Sequence, residues 1–129
     1  MKSSYSLDTH ALIWYFTANS SLSGRAKGIV DAIFSSKKIC FLSSIVLLET
    51  FHISLRKKSF SFPEFIKRIN LPNIFVVPLD KKVLTACYHL PSYFDIHDRI
   101  IASTAKITNS ILVTRDREIR QSKVIETIW

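Results

Sequence analysis

A chain of 129 residues, 47% hydrophobic and 22% charged, has the length and composition of one folded domain that buries roughly two-thirds of its unfolded surface, and is far from the composition of disorder. Its formal charge of +8, from 18 Lys and Arg against 10 Asp and Glu, favours polyanionic partners, phosphate backbones foremost. No run nears the ~20 apolar residues of a membrane span, and no signal-type apolar segment follows Met1-Lys2-Ser3-Ser4-Tyr5, so a cytoplasmic protein with no membrane partner is expected. Cys40 and Cys87 have no close Cys or His at metal-ligand spacing and read as reduced core residues.

Taken in order, Ser4 to Asp8 reads as a strand that feeds an amphipathic helix through Ala11, Leu12, Trp14 and Phe16. A polar loop follows, and Ser23 caps a second helix with Ala26, Ile29, Val30, Ile33 and Phe34 at helical spacing. Ile39 to Leu42 suits a buried parallel strand, after which Ser43-Ser44 caps a third helix from Ile45 to about Lys57. Ser59 to Ile69 forms a further helix, with Pro63 tolerated in its first turn. Ile74 to Leu79 is a strand, Asp80 caps a helix that Pro91 closes, and Asp95 starts another over Ile96 to Ile107. Ile111 to Thr114 is a strand, a helical turn runs through Ile119, and Val124 to Trp129 is the last strand. Strands alternating with helices predict an α/β fold: a central, mainly parallel sheet of about five strands with helices on both faces, as a single domain over 1–129.

Four acids fall where such sheets bind ligands, outside the carboxyl ends of strands or on helices that follow them. Asp8 and Asp116 follow strands, while Glu49 and Asp98 sit on helices of different βα units. Each has a plain structural reading. Asp8 and Asp116 could cap helices, and Asp98, three residues after Asp95, could complement a helix dipole. Glu49 lies among Ile45, Val46, Leu47, Leu48, Phe51 and Ile53, a setting that demands a partner such as Arg56 or a cation. Together they form an oxygen-rich set suited to magnesium or manganese. Setting them aside leaves 18 bases against 6 acids, or +12, on the rest of the chain. Two other doubly wound magnesium enzymes fit less well. A haloacid-dehalogenase-type phosphatase needs an acid at position 10, which is His, and a response-regulator receiver needs an acidic pair after the first strand.

Leu7-Asp8-Thr9-His10-Ala11-Leu12-Ile13-Trp14, Ser43 to Glu49, the FDIHDRIIASTA run from Phe94, Ile111 to Asp116 and the terminal Ile128-Trp129 resemble, in order and at matching intervals, a PIN domain of the VapC toxin type. The resemblance implies a metal-dependent endoribonuclease, hydrolysing RNA phosphodiester bonds with Mg2+ or Mn2+ and neutralised by a cognate antitoxin. It implies Asp8, Glu49, Asp98 and Asp116 as the catalytic, metal-binding acids, with Thr9 and Thr114 orienting them, and a homodimeric assembly. Ile96-His97 departs from relatives that carry Pro and an aromatic there. Two alternatives stay open: an RNA-processing PIN nuclease without an antitoxin, and a catalytically idle module that binds nucleic acid or a protein.

Arg99, Arg115 and Arg117 flank the acids in sequence and are candidate contacts to the scissile strand. His10, His52 and His89 show no ligand spacing, whereas His97 adjoins Asp98 and is placed to touch a substrate phosphate. Arg56-Lys57-Lys58 reads as a solvated helix end that could guide RNA. Phe60, Phe62 and Phe65 read as core, or, given the family resemblance, as the face that an antitoxin segment covers.

Overall fold

The computed structural model describes residues 4–129, so Met1 to Ser3 of the N-terminal stretch lie outside the described residues. The first half of the chain runs β1 (Ser4–Leu7), α1 (Thr9–Phe16), α2 (Gly24–Phe34), β2 (Ile39–Ser43), α3 (Ser44–Ser54) and α4 (Phe62–Ile69). The second half runs β3 (Ile74–Val77), α5 (Lys81–Tyr88), α6 (Ile96–Ile107), β4 (Ile111–Val113), α7 (Arg117–Ser122) and β5 (Thr127–Ile128). Capping chemistry fixes most helix starts. Asp8, Ser23, Ser61, Asp80, Asp95 and Asp116 each accept a backbone N–H from the first turn of the helix they precede, which satisfies donors that a helix leaves orphaned.

The five strands form one parallel sheet in the order β3-β2-β1-β4-β5. All three residues of β4 are buried. Successive strand residues point to opposite faces, so the sheet is covered on both, as the unbroken apolar runs anticipate. Helix α6 packs across β1, β2 and β4 with Ile100 to Ala105 buried without a break, which makes it the central helix of the layer. From β1 the chain winds outward to β2 and β3, then crosses back to β4 on the other side of β1. The winding therefore reverses between β1 and β4, the point at which an open parallel sheet leaves a crevice at its carboxyl edge.

Several boundaries differ from the sequence reading: α4 starts at Phe62 instead of Ser59 and β3 ends at Val77 instead of Leu79, and two more shifts have a visible cause. Helix α3 stops at Ser54 instead of running to Lys57, because the Arg56 and Lys57 amides fold back onto the Ile53 carbonyl in a closing turn. The last strand contracts to Thr127–Ile128, paired with Leu112 and Val113, since an edge strand needs only the partner length that β4 offers. In the phenylalanine segment two of the three rings are core, while Phe62 is half-buried. Phe60 and Phe65 are buried and pack with Phe16, while the Arg68 guanidinium lies 4.6 Å from the Phe16 ring centroid in a cation–π contact. Phe65 is thus unavailable to a docking partner. Cys40 and Cys87 are free and buried, and burial pushes the Cys40 thiol up, leaving an inert core residue. Among the described residues no helix is long and apolar enough to cross a membrane.

Candidate active site at the switch point

Asp8 is the first residue beyond β1, and its amide still reaches the Val113 carbonyl of β4 at 3.3 Å. Its carboxylate serves two masters. Oδ1 accepts the Ala11 N–H at 2.8 Å as the cap of α1, while Oδ2 accepts the Thr114 hydroxyl from the end of β4. The same Thr114 oxygen accepts the Asp116 N–H at 3.1 Å. One hydroxyl therefore ties the first acid to the backbone of the last across the two central strands. Asp116 in turn caps α7 through Ile119 at 2.9 Å. Capping and membership of the cleft are not alternatives here, since a cap bond occupies one oxygen and a carboxylate has about four acceptor sites over its two.

Glu49 reaches the same place from α3. Its Oε1 accepts the Thr9 hydroxyl at 2.5 Å and its Oε2 is 2.7 Å from His97 Nδ1. The partner that the apolar helix demanded is thus His97 and not Arg56, and the half-exposed His97 ring meets a carboxylate. Asp98 stands in the first turn of α6, where the Asp95 cap takes its backbone N–H at 2.8 Å. Asp8, Glu49, Asp95, His97, Asp98 and Asp116 line one cleft of about 640 Å³, with Thr9, His10, Trp14, Ile101 and Arg115 completing its wall. Of these, Asp95, His10 and Trp14 were not singled out from the sequence for this site. The Asp95-x-x-Asp98 spacing was the one signal, because a cap and a first-turn residue share a helix end.

The electrostatics follow from the crowding. Burial, followed by the charges of Asp95, Asp116, Asp8 and Glu49, raises the Asp98 carboxyl to about 7. Burial also raises Asp8, against the lowering effect of its bonds from Thr114 and Ala11. The hydrogen bond to Glu49 raises His97, so that its proton is held by the surrounding acids. Among the described residues the ion pairs are Lys27–Asp31 and His97–Glu49, so no Lys or Arg neutralises any of the four acids. The acids do not close into a cage. Among the described residues no three His, Cys, Asp or Glu side chains converge tightly enough to enclose an ion, and the expectation of four carboxylates around one cation narrows to carboxylates lining an open cleft.

The three flanking arginines separate. Arg115 lines the cleft with its guanidinium 5.7 Å from the Trp14 ring centroid. Arg117 lines a different cavity. Arg99 is turned away: Nε donates to Phe94 O, Nη1 to Cys87 O and Leu90 O, and Nη2 to Pro91 O, at 2.8 to 3.4 Å. With its donors taken up by carbonyls, Arg99 clamps the α5–α6 loop and is corrected from substrate contact to scaffold.

An all-parallel sheet with acids gathered at its switch point defines a doubly wound α/β class of protein. The chain belongs to the PIN domain family, whose family model matches residues 5–124. Solved structures with this fold include VapBC2 from Rickettsia felis bound to a DNA fragment from its promoter (19% identity, TM-score 0.71, covering 96% of each chain). A toxin-antitoxin complex from Klebsiella pneumoniae is similar at 20% identity and TM-score 0.71, covering 98% of this chain and 97% of that one. FitAcB from Neisseria gonorrhoeae is similar at 20% identity and TM-score 0.67, covering 97% and 96%. At such identities the likeness is one of fold. No curated protein matches the sequence.

Proposed function

We propose that this PIN-domain protein, a single domain over 1–129, is a magnesium- or manganese-dependent endoribonuclease and the toxin of a toxin-antitoxin pair, cytoplasmic and homodimeric. The observation that carries the proposal is negative charge that only His97, at Glu49, offsets. Asp8, Glu49, Asp98 and Asp116 come from four elements to one cleft, no Lys or Arg pairs with them, and Asp98 is driven to about 7. Negative charge gathered at such a cost, in a cleft whose acids outnumber its two histidines, fits a hard divalent cation. The open geometry suits magnesium in particular, which keeps several waters and takes one or two carboxylates. The toxin assignment draws on the solved neighbours, which include toxin-antitoxin complexes. RNA as the polyanion follows from the VapC-type resemblance and from the +12 background outside the four acids.

Asp8, Asp98 and Asp116, with Glu49, are the residues that would hold the ion. When bound, a divalent cation supplies Lewis-acid activation of water and neutralises charge developing on the phosphate. The rest is the work of the chain. Thr114 sets the rotamer of Asp8 and the entry angle of α7, so Asp8 and Asp116 keep fixed spacing across β1 and β4. Thr9 and His97 hold Glu49 from both sides. Asp98 keeps its carboxyl proton to about pH 7 and gives it up when positive charge enters the cleft. Arg115, beside Trp14 on the cleft wall, faces the incoming backbone.

The proposal predicts cleavage of RNA by the purified protein with magnesium or manganese and none in excess EDTA. Cleavage that continues unchanged in EDTA would defeat the metal-dependent reading.

A further inference from the structure

Behind the acidic cleft lies a second cavity of about 450 Å³, lined by Arg25 of α2, Arg117 and Arg120 of α7, Lys123 and Trp129. We propose that this cavity is a subsite for the RNA strand beyond the acidic cleft, its bases gripping phosphates and Trp129 stacking a nucleobase. The inference rests on the nuclease reading above and adds to it the path of the substrate.

Four observations carry it. Four cationic side chains, one from α2 and three from α7 and its C-cap, all exposed, surround one cavity. None has a carboxylate partner, since the ion pairs among the described residues are Lys27–Asp31 and His97–Glu49. Their mutual repulsion goes unrelieved within the chain, and a polyanion is the natural counterweight. Lys123 closes α7 at φ 58°, in the left-handed region, a position where Gly is the usual occupant; a lysine held there adds to the cavity's positive charge.

The cavity is also joined to the cleft. Trp129, on its wall, meets Trp14 edge-on with ring centroids 5.9 Å apart, and Trp14 lines the acidic cleft. The two indoles thus form the partition between the sites. Asp116, in the cleft, caps the helix whose next turn carries Arg117 and Arg120. A strand passing from the cleft to the cavity meets an aromatic step followed by a cationic basin, the combination that binds single-stranded nucleic acid through stacking and phosphate contact. An acidic chain without aromatic side chains, such as polyglutamate, would use the same charges but offers no ring to stack on the indole.

Fluorescence anisotropy of a short fluorescein-labelled oligouridylate, in EDTA so that the strand survives, tests the subsite. Arg120→Gln/Lys123→Gln changes two exposed side chains and is expected to weaken binding by about tenfold or more. It should also flatten the dependence of log K on log salt by about 1.4, since each single-strand phosphate contact contributes about 0.7. Trp129→Leu should weaken binding by about tenfold with the salt slope unchanged. Affinity and slope that stay at wild-type values in the double variant, in a protein that cleaves RNA with manganese, overturn the subsite and leave the nuclease reading standing. A wild type that neither binds nor cleaves RNA brings down both. Polyglutamate that displaces the RNA as well as unlabelled RNA does, with Trp129→Leu without effect, identifies an acidic-peptide site and overturns the proposal.

Discussion

Asp98→Asn is expected to abolish RNA cleavage while leaving the metal-free protein at least as stable as wild type at neutral pH. The sign comes from the raised carboxyl. Asp98 titrates near 7 in the fold against an ordinary 3.8. Below pH ~4 the carboxyl is protonated in folded and unfolded chains alike and has no effect. As pH climbs from about 4 to about 7, the unfolded chain ionises while the folded one holds its proton, so the wild type loses stability and Asn does not. Asp98 is only half-buried, so solvent screening cuts the gain to the order of 1 kcal/mol. The lost carboxylate–dipole attraction at the start of α6 opposes it by roughly 0.3–1 kcal/mol. Desolvation and four neighbouring acids outweigh one helix end. The rise in melting temperature on adding manganese should shrink in the same variant, because an ion that binds only the folded state stabilises it in proportion to its affinity. Exposed Glu126→Gln serves as control. Melting curves showing Asp98→Asn destabilised, undiminished in its response to manganese and still active would mark Asp98 as an ordinary first-turn acid.

Phe65→Ala is expected to cost about 3–5 kcal/mol, the range for deleting a fully buried aromatic. The ring is 1% exposed and packs against Phe16, Phe60 and Phe62, and no neighbour can swing in to fill the space without leaving its own. In a domain of this size such a loss lowers the melting temperature by more than about 10 °C. A variant that melts near the wild type but fails to bind a protein partner would restore the docking reading of this segment.

The elements were legible because their signals are local. Ser23, Asp80, Asp95 and Asp116 announce helix starts that a three-residue window can find, and Ile39 to Leu42 or Ile111 to Val113 have no polar alternation to suggest an exposed face. The candidate site was legible as a set of residue types, since Asp8 and Asp116 follow strands by one and three positions. What could not be read is pairing at long range. That Glu49 would meet His97 and Thr9, 48 and 40 residues away, depends on how α3 lies against α1 and α6. Arg99 stands beside Asp98 in sequence yet, one residue on, it points about 100° around the helix and clamps the α5–α6 loop. Trp14 and Trp129 are at opposite ends of the chain, and only the β4–β5 register brings them together.

The central claim is that the acids of the switch point hold a divalent cation. Calorimetric titration of manganese into the metal-free protein at pH 7, repeated in buffers of different ionisation enthalpy, tests it most directly. The account predicts saturable binding accompanied by proton release from Asp98, with both lost in Asp8→Asn and Asp116→Asn variants that still fold. Wild-type protein that takes up no manganese, or Asp8→Asn and Asp116→Asn variants that bind it as the wild type does, would contradict the account.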